Sequence, residues 1–177
     1  MSSSSVSVSG KITFKLKPLS RDGVEAALAK AEHYRLLNQP KLAESICLDI
    51  LEVDKENQKA KIILLLSITD QFGHSVSTAG KHAVEIANSL KDDYSKIYYL
   101  GIIHERQGNV SLESAVHGSD WDAYEWYLEA MELFESAEKS SPPGNNDAVL
   151  RWNTCARIIM QYNLKERPTD SINPIME

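Results

Sequence analysis

Apolar and polar positions follow a period of two in a lysine-rich stretch near the start of the chain. In Lys11-Ile12-Thr13-Phe14-Lys15-Leu16-Lys17 the apolar residues alternate with polar ones, the pattern of a half-buried extended segment. The serine-rich stretch before it, Met1–Ser9, carries too little apolar surface to fold. Residues 1–20 therefore read as a flexible arm with one short strand, laid over the domain or offered as an edge for strand addition.

From Arg21 onward the period becomes helical. Asp22 as N-cap, with Glu25 as its capping-box partner, opens a first helix with Ala27, Ala31 and Tyr34 on one face, broken at Asn38-Gln39-Pro40. A second carries Ala43, Cys47, Ile50 and Leu51 and ends near Asp54. The third, Asn57 to Phe72, is apolar almost all round through Ile62 to Ile68, which suits a helix packed between neighbours. A fourth carries Ala79, Ala83, Ile86 and Leu90. A fifth carries Ile97, Leu100, Gly101 and His104 and is expected to stop at Gly108-Asn109. A long sixth runs from about Asp120 to Ser140, and a seventh from Asn146 to about Asn163. Pro168 and Pro174 make residues 166–177 an extended tail. Residues 21–165 are thus expected to form one all-α domain.

The helices come in pairs, and the pairs repeat. Ala31, Tyr34, Ala43, Cys47 and Ile50 in the first pair are answered by Ala79, Ala83 and Ile86 in the second. Leu100, Gly101, Gly108, Ala130, Phe134, Ala137 and Pro142 answer them in the third. This small, aromatic and bulky pattern resembles the tetratricopeptide repeat, a helix pair of about 34 residues. The resemblance covers about Val24 to Gly144. It implies an α-α superhelix of about three helical pairs with the seventh helix as a C-terminal cap. An insertion around Val110–Trp121, between the two halves of the third unit, departs from the family pattern.

The resemblance also implies where function lies. First-helix side chains of such units face a concave groove. Here those are Glu25, Leu28, Glu32, Arg35 and Leu36, then Lys59, Ile62, Leu66, Thr69 and Asp70, then Ser95, Tyr98, Ile102, Glu105 and Arg106. Members that clamp a peptide's terminal carboxylates do so with Lys and Asn, at places held here by Leu28, Glu32, Ser95 and Tyr99, so that mode is not expected. The apolar stripe Leu28, Ile62, Leu66, Tyr98 and Ile102 points instead to a peptide or amphipathic helix. The expected function is a non-enzymatic scaffold or adaptor. An assembly subunit whose groove is filled by its own arm is an alternative.

Composition narrows the partner. Against 25 acidic residues stand 19 basic ones, a formal net charge of -6, which argues against a nucleic-acid partner. The excess is local: residues 107–138 hold eight acids and no base, and residues 1–21 hold four bases and no acid. The acidic segment reads as a solvated face, or as an attractor of a basic partner or the basic arm. On the sixth helix, Trp121, Tyr124, Leu128 and Met131 form a second apolar stripe. It is expected either to pack within the chain or to support a homodimer. The longest apolar run, Ile62–Leu66, is far short of the roughly 20 residues that span a bilayer. Neither a secretory signal nor a membrane partner is expected, and the chain reads as cytoplasmic.

Catalytic chemistry has one candidate motif. Ser75 to His82 approaches a phosphate-binding loop through Gly80 and Lys81, and Ile62–Thr69 before it could pass for the required strand. Yet Ser75 stands in place of the first glycine and His82 in place of the magnesium-binding hydroxyl. A small nucleotide-binding enzyme is the second alternative. The five histidines are scattered, and His104 reads as a packing residue. Pairs such as His82 with Glu85 or Asp70 with His74 lack a third ligand, so no metal or cofactor is expected. Cys47 and Cys155 read as buried thiols in a reducing compartment.

Overall fold

The computed structural model describes residues 14–73 and 76–168, and the side chains of 76–78 lie outside that description. These residues form a short 3-10 turn, Arg21–Gly23, and seven α-helices. They are α1 (Val24–Leu36), α2 (Pro40–Val53), α3 (Gln58–Thr69), α4 (Val76–Asn88), α5 (Asp93–Glu113), α6 (Ser119–Glu138) and α7 (Asp147–Tyr162). Each helix packs on the next along the chain, and α1 also touches α3. The chain is all-α, as its periodicity implies.

Helix ends follow local chemistry. Asn57 caps α3 by accepting from the Ala60 amide at 3.0 Å, and Asp92 caps α5 by accepting from the Ser95 amide at 2.8 Å. Each satisfies an amide that the first turn leaves unpaired. Pro40 opens α2, where its fixed φ and missing N–H cost nothing. Asn163 ends α7 in the left-handed conformation, φ 50°, and the next residue, Leu164, folds under into the core. The expected Asp22–Glu25 capping box does not form. Asp22 falls within the 3-10 turn, and Gly23 precedes α1 without a side-chain cap. Residues 14–20 adopt no regular structure, and Phe14 and Leu16 are 85% and 77% exposed. The described part of the arm is therefore not a strand, while Ile12 and the serine-rich start lie outside the described residues.

The core has two clusters that share α5 as a wall. One gathers Ala31, Ala43, Cys47, Leu64, Leu65, Ile68 and Ala83 around Ile103. The other gathers Ala123, Tyr127, Ala130, Phe134, Ala137 and Cys155 around Ile102. Adjacent residues of one helix thus point into different cores. Leu66 and Tyr99 pack against both.

The third pair departs from expectation. Helix α5 continues through Gly108-Asn109 to Glu113, and only Ser114–Gly118 separate it from α6. The insertion lengthens two helices and does not form a loop over the groove. At 1.5 Å per residue, α5 is about 31 Å long against about 20 Å for α1. The close approach of α5 and α6 explains why Gly108 does not end the helix. A Cβ on Gly101 would lie 2.6 Å from the Phe134 ring, and one on Gly108 would lie 2.9 Å from the Tyr127 ring. Both rings are fully buried. Two glycines seven residues apart on α5 receive two aromatics seven residues apart on α6, running antiparallel. Packing overrides the intrinsic helix-breaking tendency of glycine, about 1 kcal/mol. The Tyr127 hydroxyl also donates to Asn109 Oδ1 at 2.7 Å.

Candidate functional site

On α1, Glu25, Leu28, Ala29, Glu32 and Arg35 recur at spacings of three and four and so share one face. Lys59, Ile62, Ile63, Leu66 and Thr69 do the same on α3. Where these faces meet, two recesses adjoin. One, of about 470 Å3, is lined by Arg21, Asp22, Val24, Glu25, Leu28, Asn57, Gln58 and Lys59. The other, of about 380 Å3, is lined by Glu25, Leu28, Ala29, Glu32, Lys59, Ile62 and Ile63. They share Glu25, Leu28 and Lys59 and form one groove with an apolar floor and a charged rim. Neither Phe14 nor Leu16 fills it, since both are exposed.

Two turns further along the same helices the groove becomes ionic. Arg35 Nε donates to Asp70 Oδ2 at 2.8 Å. Arg106, on α5, donates through Nη1 to Asp70 Oδ1, to Thr69 Oγ1 at 2.8 Å and to the Leu66 carbonyl at 3.2 Å. One carboxylate thus faces two guanidinium groups. Beside them, Glu105 is only 4% exposed and accepts from Arg151 Nη1 at 3.1 Å. Burial raises the Glu105 carboxyl above its usual range, and Arg151 offsets only part of that. Burial pulls Arg106 below its usual range, against the attraction of Asp70, and Arg35 and Arg151 push it the same way by repulsion. Thr69, Asp70, Glu105, Arg106 and Arg151 border a cleft of about 490 Å3 lined also by Gln71, Phe72, Gly73, Asn109, Val110 and Glu113.

The groove residues anticipated from sequence therefore divide into three kinds. Leu28, Glu32 and Ile62 line the open apolar recess. Arg35, Thr69, Glu105 and Arg106 join in the ionic centre. Leu66 and Tyr98 pack half-buried against the core and Ile102 lies inside it, so the expected apolar stripe is not an open surface along these residues. Ile102 is 1% exposed, Leu66 packs against both clusters, and Tyr98 lies 5.8 Å from Phe134, ring to ring. Sequence reasoning missed Arg151 because α7 has no counterpart in the repeated pairs. Its only signal was an arginine on the cap helix, one turn after its N-terminus. It missed Ile63 and Ala29 because they sit beside the expected register positions.

The second stripe of α6 is largely satisfied within the chain. Tyr124 and Met131 pack in the second cluster with Trp152, Ile158 and Ile159 of α7. Trp121 lies edge-on to His117, 5.5 Å away, and under the Arg167 guanidinium at 5.4 Å. Leu128 remains 38% exposed. Several acids of the 107–138 segment also have partners. Arg167 pairs with Asp122 and Glu125, His104 Nδ1 lies 2.9 Å from Glu129, and Trp152 Nε1 donates to Glu135 at 2.9 Å. His104 also packs edge-on against Trp126 at 5.2 Å.

Residues 58–69 form a helix where a phosphate-binding loop needs a strand, and Val76 onward is already helical. Gly80 lies against Gln107 inside α4, and Ser75 is outside the described residues. No group of three or more metal-ligating side chains occurs among the described residues. His82 Nδ1 lies 3.6 Å from Glu85, both well exposed, while His74 is outside the description. Both cysteines are free and fully buried, and burial pushes each thiol up to about 12. No helix among the described residues is long and apolar enough to cross a membrane. Comparison of the chain with family models, curated proteins and solved structures gives no match.

Proposed function

We propose that the chain is a tetratricopeptide-like interaction module whose helix pairs stack as a superhelix and hold a partner's peptide segment or amphipathic helix along α1, α3 and α5. The observation that carries this reading is the groove itself. Partly exposed apolar side chains from α1 and α3 (Leu28, Ala29, Ile62 and Ile63) form a floor between charged rims, the usual composition of a recognition surface. The burial pattern supports the stacking. Ala31, Ala43, Cys47, Ile50, Ala83, Ala130, Phe134 and Ala137 are all 0% exposed, as small and bulky repeat positions require when helices approach closely. The module acts without catalysis, in the cytoplasm, where a reducing environment keeps Cys47 and Cys155 as thiols.

Affinity capture from the native lysate tests the reading. Leu28→Asp and Ile62→Asp place charge on the groove floor, and both sites are only partly buried, so the fold tolerates them. Leu48→Asp, at a position 48% exposed on α2, is the control. Partners should be retained by the wild type and the control and lost from both groove variants. Retention by the groove variants would remove the groove from the function.

A further inference from the structure

Resting on the groove reading above, we infer that the Arg35–Asp70–Arg106 centre is a binding subsite for a carboxylate carried by the partner segment. Two guanidinium groups, one from α1 and one from α5, converge on the single carboxylate of Asp70. The third arginine nearby, Arg151, is already matched by Glu105. Among the described residues, one of these two guanidinium groups therefore has no ion-pair partner of its own.

That charge is also poorly hydrated. The Arg106 side chain is 17% exposed and that of Arg35 is 25% exposed. Burying a charge is costly unless it is paired and hydrogen-bonded. Arg106 spends only Nη1 on the protein, and Arg35 only Nε. Among the described residues, Arg106 Nη2 and both Nη atoms of Arg35 have no acceptor. Planar guanidinium forks suit a two-oxygen acceptor, and a carboxylate is the peptide group with that shape. The depressed Arg106 guanidinium fits the same account, because a second anion would offset the repulsion it feels from Arg35 and Arg151.

Position completes the argument. Leu28 and Arg35 are two turns apart on α1, as are Ile62 and Thr69 on α3, about 10 Å along each axis. An extended ligand covers that distance in about three residues. The fitting partner carries an apolar anchor in the Leu28–Ile62 recess and an acidic group about three residues away. The arginines stand on the last turn of α1 and on α5. They do not occupy the Leu28, Glu32, Ser95 and Tyr99 positions, which lack the side chains for a terminal-carboxylate clamp. Glu32, one turn before Arg35, makes no ion pair among the described residues, and it opposes an anion there.

The test uses the full chain and short fluorescent peptides, Leu-Leu-Ser-Ser-Glu and its reverse, each with a free or an amidated C-terminus and each with a Glu→Gln counterpart. Binding is read by anisotropy and by the Nε–Hε signals of Arg35 and Arg106 in NMR. The amidated Glu peptides should bind at least several-fold tighter than the amidated Gln peptides, which carry no carboxylate, and should shift both arginine signals. Amidation separates the sources, because loss on amidation assigns the subsite to a chain terminus and persistence assigns it to a side chain. Arg35→Gln should abolish the Glu preference. Asp70→Asn and Glu32→Gln should tighten binding of the Glu peptide several-fold, a direction that loss of structure would not produce. Equal binding of Glu and Gln peptides, unchanged by amidation and lost in Leu28→Asp, would overturn the carboxylate subsite and leave the groove reading standing. No binding of any peptide at millimolar concentration, with unmoved arginine signals, would overturn both.

Discussion

Glu105 shows how one side chain's surroundings become a property of the fold. It is 4% exposed, with Arg151 as its partner at 3.1 Å. Desolvation outweighs that pairing, so the folded chain holds the Glu105 proton above the group's ordinary 4.5. An acid raised in this way contributes stability that is complete below its unfolded value and is lost as pH rises through the folded value. Glu105→Gln removes the titration while keeping the shape. The urea midpoint of the wild type relative to this variant should therefore fall as pH rises above about 4.5. A pH-independent difference between the two would refute the assignment. Asp92 behaves in the opposite way, because the hydrogen bonds it accepts from the Ser95 hydroxyl and amide hold its carboxyl below the usual range.

At the level of helices, the α5–α6 pair carries the most specific packing in the molecule. Gly101→Ala should gain about 1 kcal/mol in helix propensity. It should lose more by driving a Cβ into Phe134, since overpacking a filled core costs about 1–3 kcal/mol. The net expectation is destabilisation, read from chemical denaturation. Phe134→Leu opens space beside position 101, so the double variant should be more stable than the two single effects added together. Additive effects would show that the ring and the glycine do not interlock. The same pair marks where sequence reading fell short. Gly108-Asn109 carries an ordinary stop signal, and only the ring of Tyr127, distant along the chain, reverses it. The Asp22–Glu25 box failed for a smaller reason, a 3-10 turn at Arg21–Gly23 that shifts the helix start past Asp22. The remaining helices were legible because their apolar spacing and their caps, Asn57 among them, agree.

Across the whole molecule, neighbours in sequence are neighbours in space, and stability is distributed unevenly as a result. Among the described residues the first pair has a partner on one side only, and it exposes Leu36, Leu37, Leu42 and Leu48. Helix α5 faces both clusters. Hydrogen exchange should therefore be slowest in α5 and α6 and fastest in α1. Protection in α1 equal to that in α5 would show a single cooperative unit instead. The resemblance implied one face for Leu28, Ile62, Arg35 and Arg106, and of these Leu28 and Ile62 line one recess. The chemistry of the groove was not legible, because the Asp70 bridge and the Glu105–Arg151 pair join helices that spacing along one helix cannot relate. The interlocking of glycine and ring in the third pair has a last consequence, for how the chain can change length. A residue added between Gly101 and Gly108 rotates everything beyond it by about 100°, carrying the second glycine away from its ring. A residue added in Ser114–Gly118 leaves both contacts in step. Insertions and deletions are tolerated at the tip of this hairpin and rejected along its shafts.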